Sequence, residues 1–193
     1  MALLPSCGGG GGAPSPTPTL FARGAVAYLL TLDQLRVAGF TVDEAAHTVG
    51  SAGVSAGDPQ LQTGLRAAGM RDAATVRYFR DVPDLATADG FIDVRSTVLA
   101  FSGGGPAHRA FLAEVRHTDA VPHIVPESTD ALGDEAHADL LTVTSPEGVP
   151  VVELTVITRH ANLVEIVVVR GRQGGTSLAD ALILAHRQLA GQP

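Results

Sequence analysis

The residues of this chain best suited to chemistry fall in two short stretches. HTDAVPH brings His117, Asp119 and His123 together, and GDEAHAD follows with Asp134, Glu135, His137 and Asp139. Imidazole and carboxylate groups are donors that zinc accepts. A cation held by His117, Asp119, His123 and His137 would support metal-assisted hydrolysis. The spacing matches no established metal motif and both stretches read as connecting loop, so a solvated polar connection is the competing explanation. A second set is cationic. Arg159 and Arg170 fall at the ends of adjacent expected strands, and Arg95 lies on the polar side of another. Together they would line an open sheet face that holds an acidic ligand, and an ordinary solvated face is the alternative.

Other chemistries have less to work with. All thirteen basic residues are Arg and none is Lys, which removes Schiff-base, Walker-type and kinase lysines. There is no GxSxG, and Ser102-Gly103-Gly104 is not a nucleophile elbow. Gly103–Gly105 and Gly174–Gly175 precede helix starts, where free N–H groups favour anions, but neither matches a phosphate-binding loop. The formal net charge of −7 argues against a nucleic-acid partner, because no basic excess neutralises phosphates. It also provides no polybasic membrane footprint. No cofactor is implied.

The single cysteine, Cys7, sits between Leu4-Pro5-Ser6 and five glycines. Leu-Pro-Ser-Cys resembles a bacterial lipobox, the signal for lipidation of its cysteine. The following GGGGGAPSPTPT suits a flexible tether, because that composition builds no core. Against this, Pro5 is not a preferred lipobox residue, and only six residues precede Cys7, too few for a signal peptide. An upstream start codon would reconcile the two. The expectation is a lipid-anchored extracytoplasmic protein, or a cytoplasmic one if Met1 is the true start. Membrane association would then run through the lipid anchor alone, since no stretch approaches the roughly 20 apolar residues of a spanning helix.

A chain of 193 residues with 45% hydrophobic content sustains one domain with a real core. We expect a disordered Gly/Pro-rich tail over residues 1–19 and a single domain over 20–193. FARGAVAYLLTLDQL (21–35) is apolar with mixed periodicity. FTVDEAAHTV (40–49) and DAATVRYFRD (72–81) read as strands. PQLQTGLRAAG reads as a helix, started by Asp58-Pro59 and capped by Gly69. FIDVRSTVLAF (91–101) alternates, with Ile92, Val94, Val98 and Ala100 opposite Asp93, Arg95 and Thr97. The GGG link then opens the helix PAHRAFLAEVRH, and 118–133 reads as irregular. ADLLTVTS (138–145), VPVVELTVITR (149–159) and LVEIVVVRGR (163–172) form an antiparallel meander. Ser177 and Asp180 are a capping-box variant, and Leu178, Leu182, Ala185 and Leu189 form one stripe of the final helix. The order strand, strand, Gly-rich link, helix occurs twice, over 72–117 and 149–190.

These patterns predict an α+β fold: an antiparallel sheet of about five to seven strands with helices packed on one face. LGDEAHADLL, VELTVITRHANLVEIVVVRG and LADALILAHRQLA make the chain similar to a class of bacterial secreted lipoproteins. They also resemble the PknH-like extracellular sensor domains of actinobacterial serine/threonine kinases. The shared features are the turn Gly133–Ala136, two long strands around Arg159–Asn162, and a final helix. FIDVRSTVLAFSGGGPAHRAFLAEV is similar to the family's strand and Ala-rich helix. The resemblance spans roughly residues 28–190 and implies an α+β sandwich outside the membrane with a sensing or carrier role. The chain lacks the paired cysteines that brace the kinase domains. The expected function is thus a non-enzymatic ligand-binding or sensor-like domain, with a small molecule, lipid or envelope protein as partner. The alternatives are a metal-assisted hydrolase using residues 117–139 and a structural envelope protein.

Overall fold

The computed structural model describes residues 20–129 and 131–191. Cys7 and the tail expected over 1–19 lie outside them. Seven strands form one antiparallel sheet: β1 (Phe40–Thr48), β2 (Asp72–Arg80), β3 (Phe91–Ala100), β4 (Val125–Glu127), β5 (Glu135–Thr144), β6 (Pro150–His160) and β7 (Leu163–Arg172). Their order is β1-β2-β3-β7-β6-β5-β4. The helices are α1 (Leu32–Leu35), α2 (Ser51–Val54), α3 (Pro59–Ala68), α4 (Gly104–Asp119) and α5 (Leu178–Ala190). The expected α+β antiparallel architecture is present.

Strand alternation sends successive side chains to opposite faces. On one face Val94 and Val98 of β3, Val167 and Val169 of β7, and Leu154 and Val156 of β6 enter the larger core. Helix α5 closes that core with Ala181, Leu184 and Ala185. Its start carries the reciprocal Ser177–Asp180 capping box. On the other face Leu99, Ile157 and Val164 meet α3 and α4 in a second core. The helices therefore lie on both faces of the sheet and not on one. The two strand-strand-helix units repeat in order only, since α4 and α5 go to opposite faces.

Helix α3 begins and ends where its sequence signals it. The Asp58 carboxylate accepts hydrogen bonds from the backbone N–H groups of Gln60 (2.7 Å) and Leu61 (3.2 Å), and Pro59 opens the first turn. Gly69 ends the helix in the left-handed conformation, φ 77°. The ambiguous segment 21–35 becomes a short 3₁₀ turn, Ala25–Tyr28, followed by α1. Ala25, Tyr28, Leu29, Leu30 and Leu35 complete the larger core beside α5. Within the connection expected to be irregular, β4 pairs with β5 and extends the sheet edge.

Asn162, in the tight turn between β6 and β7, ties three chain segments together. Its Nδ2 donates to the carbonyls of Phe21 (3.1 Å) and Phe101 (3.0 Å), and its Oδ1 accepts from Phe21 N–H (2.7 Å). The residue is 3% exposed. Truncating it strands part-buried backbone groups without partners. Asn162→Ala is expected to cost about 2–4 kcal/mol, read as a lowered midpoint in urea unfolding. A change below about 0.5 kcal/mol would show that water replaces these bonds.

Candidate functional site

Helices α3 and α4 cover only one end of their face of the sheet. Beyond that core, the C-terminal half of α4 stands over exposed strand surface, with α2 opposite. The result is a cleft of about 570 Å³, within the range of small-molecule sites. Its floor comes from alternate residues of the strands: Arg95 and Thr97 on β3, Ile166 and Val168 on β7, Glu153 and Thr155 on β6. Glu114 and Thr118 of α4, followed by Val121 and Ile124, line the wall.

At one border of the cleft, three side chains converge. Asp119 ends α4, while His137 and Asp139 stand two apart on β5 and so share a face. Their donor atoms all lie within 4.8 Å of one another. His137 Nε2 is 2.9 Å from Asp139 Oδ1 and 3.4 Å from Asp119 Oδ1. Donors about 2.1 Å from a tetrahedral zinc stand about 3.4 Å apart, so the trio needs little closure to embrace a cation. Asp139 is fully buried and its Oδ2 has no hydrogen-bond partner. It faces Thr155 directly across the β5–β6 ladder, and Asp119 follows Thr118. The trio thus adjoins the cleft lining on two sides.

The sequence-derived metal set is only partly assembled. Asp119 and His137 lie together, with His137 Nε2 3.4 Å from Asp119 Oδ1. His117 is drawn away, with Nδ1 2.7 Å from Asp58 Oδ2 at the start of α3. The Gln60 and Leu61 N–H groups, with His117, hold that Asp58 carboxyl below its ordinary range. His123 is exposed on the loop after α4 at φ 66°. Asp139 takes the third place. Its sequence signal is His-x-Asp within a strand, and a strand starting at 138 excludes His137. In the structure β5 begins at Glu135.

The three candidate arginines lie on the same face of the sheet as α4. Two are held by carboxylates. Arg159 pairs with Asp134 (2.9 Å) and with Glu135, which also contacts His108 at 2.8 Å. Burial opposes ionisation of Glu135, but His108 and Arg159 outweigh it and hold its carboxyl below the usual range. Arg170 pairs with Glu153. Neighbouring Arg77 makes a two-pronged contact with Asp93, at 2.9 and 2.7 Å. Arg95 is exposed and has no hydrogen bond or ion pair among the described residues.

Glu114 was not visible as a site residue in the sequence, where it reads as one polar position in an amphipathic helix. It is 4% exposed, and its Oε1 has no hydrogen-bond partner. Burial raises its carboxyl from 4.5 to about 8. The group is therefore neutral in the folded protein at pH 7.

No family model and no curated protein matches the chain. Among solved structures, the extracellular domain of PknH from Mycobacterium tuberculosis superposes with a TM-score of 0.57. The match covers 85% of this chain and 92% of that one, at 10% sequence identity. This chain has a similar fold to that extracellular domain. At so low an identity the likeness concerns the fold alone. The resemblance expected from the turn at Gly133, the paired long strands and the final helix is thereby present at the level of architecture. Among the described residues, no helix is long and apolar enough to cross a membrane.

The neutral Glu114 makes stability depend on pH. Below about 4.5 the group is protonated in both folded and unfolded chains. Between that value and about 8 the unfolded chain releases a proton that the folded one retains, so stability falls as pH rises. At about 1.4 kcal/mol per pH unit the loss is of the order of a few kcal/mol. Glu114→Gln is expected to flatten this slope and to raise the melting temperature at pH 8. Urea midpoints measured from pH 4.5 to 8.5 would show equal slopes in both proteins if Glu114 were not the cause.

Proposed function

We propose that this protein binds a divalent cation at Asp119, His137 and Asp139 and uses it for metal-assisted hydrolysis of a ligand held in the adjoining cleft. The observation that supports this reading is the trio of donors, with the orphaned Oδ2 of the fully buried Asp139. A buried carboxylate oxygen without a partner is costly and is relieved by a cation. One imidazole and two carboxylates suit zinc or manganese. Asp119, His137 and Asp139 would hold the cation, and its chemistry there would be that of a Lewis acid toward a hydrolysable group. The overall reaction would be addition of water across an ester bond, giving an acid and an alcohol. The rigid β5 strand fixes His137 and Asp139, and Asp119 approaches from the end of α4, so binding would join the helix end to the sheet.

The test is calorimetric titration of chelator-treated protein with Zn²⁺ and with Mn²⁺, alongside melting temperature. One site per chain is expected, with stabilisation on binding. Asp139→Asn is expected to weaken it at least tenfold while the metal-free protein keeps its circular dichroism. Metal-dependent release of nitrophenol from p-nitrophenyl acetate or bis-p-nitrophenyl phosphate tests the hydrolytic step. Absence of heat and of thermal shift with both ions would overturn the reading.

A second reading is a non-catalytic, extracytoplasmic sensor-like domain, anchored by a lipid on Cys7. It is supported by the fold likeness to an extracellular domain and by the Leu4-Pro5-Ser6-Cys7 stretch. Its partner would be a small molecule, a lipid or an envelope protein. Intact mass of protein from its native cell separates the cases. A diacylglyceryl-modified Cys7 at the N-terminus supports the anchor, whereas an unmodified chain from Met1 in the soluble fraction places the protein in the cytoplasm.

A further inference from the structure

The charges that line the cleft are committed, with one exception. Glu153 is held by Arg170, and His117 by Asp58. Glu44 lies 3.5 Å from His47. Glu114 is buried in the wall and neutral at pH 7. Among the charged groups of this lining Arg95 alone has no partner, although it projects from a central strand into the cleft. A guanidinium in such a place offers several N–H donors to a planar anion.

Paired charges (Arg77 with Asp93, Arg170 with Glu153) flank Arg95 on one side, and toward β7 and the wall the surface is apolar. Val168 lies directly opposite it on β7, with Ile166 beside Val168 on the same face. Leu141 continues the floor, and Val121 and Ile124 face it from the wall. Strand register also fixes a row. Arg95 opposes Val168, Val168 opposes Thr155, and Thr155 opposes Asp139. Three strand spacings separate the Arg95 backbone from that of Asp139, about 14 Å. The row begins at a free cation, crosses apolar and hydroxyl surface, and ends at the donor trio.

We propose that the cleft selects an aliphatic carboxylate, with its acid group on Arg95 and its hydrocarbon chain along Val168 and Ile166 beneath Val121 and Ile124. This deepens the reading of the cleft as a ligand site, and it does not require the metal. The free acid and an acid-terminated ester share this head group. Arg95 acts as a specificity-determining residue, placed across the sheet from the metal donors.

The experiment uses chelator-treated full-length protein and octanoate as probe, followed by calorimetry. 1-Octanol tests the chain without the charge, and acetate tests the charge without the chain. One octanoate per protein is expected, with 1-octanol and acetate each at least tenfold weaker. Arg95→Gln is expected to weaken octanoate at least tenfold with unchanged melting temperature, because Arg95 is exposed and supports no other residue. Arg109→Gln, at an exposed position on α4 outside the cleft lining, is expected to bind as the parent does. Equal binding of octanoate and 1-octanol would overturn the proposal, as would unchanged affinity in Arg95→Gln or no binding of octanoate. A negative result here with a positive metal titration leaves the metal site standing. The reverse pair of results leaves the carboxylate site standing.

Discussion

The register of the three central strands, β3, β7 and β6, is the constraint on which the rest of this protein depends. Each is buried on one face along most of its length and only in part on the other. A one-residue slip would turn Val94, Val98, Val167 and Val169 away from α5 and place Arg95, Ile166 and Val168 in the larger core. The ladder therefore cannot shift without burying an arginine. The same pairing that builds the two cores also assembles the cleft floor, so stability and the candidate site share one geometric cause.

The cleft exists because the covering of the sheet is unequal. On the α5 face, the final helix and segment 21–35 cover the strands. On the opposite face, α3 and α4 interlock at the end marked by Leu99, Phe101, Ile157 and Val164. Helix α4 runs on past that core, which explains how one helix contributes Ala107, Ala110 and Phe111 to packing and then Glu114 and Thr118 to the cleft. A site built from a helix and strands is held more rigidly than one built from loops. Buried polar groups differ in how far they are satisfied. Asn162 and Ser96 are satisfied by bonds across the chain, with Ser96 Oγ accepting from Leu30 N–H and donating to Gln188. Glu114 and Asp139 each retain an oxygen without a partner. Unsatisfied buried oxygens are rare enough in folded proteins to call for an explanation, and a cleft lining and a cation site supply one.

The likeness in fold to the extracellular domain of PknH concerns the architecture and leaves the chemistry to be argued from side chains. That chemistry is concentrated on one face of one sheet. Its anionic corner lies at the α4–β5 junction, and its uncommitted cation lies on β3. Ion pairs neutralise most of the remaining charge nearby: Arg77 with Asp93, Arg159 with Asp134 and Glu135, Arg170 with Glu153. Pairing of this sort keeps the open sheet face soluble while leaving Arg95 distinct from its neighbours.

What the sequence by itself determined was local. Alternation over 91–101 and 149–172 defined β3, β6 and β7, and Asp58-Pro59 with Gly69 delimited α3. Ser177 with Asp180 started α5, whose stripe of Leu178, Leu182, Ala185 and Leu189 does face the core. These features depend on neighbours in the chain, through side-chain period and capping, so they were legible without a fold. The tertiary structure alone decided which face each helix covers, why segment 21–35 follows neither period, and which charged residues meet. His117 pairs with Asp58 across 59 positions, and Asp119 reaches His137 and Asp139 only because β5 docks beside the end of α4. Arg95 is left free, and Glu114 kept neutral, by the partners and solvent that packing grants or removes. Such outcomes are set by register and burial across the whole sheet, and no short window of sequence contains them.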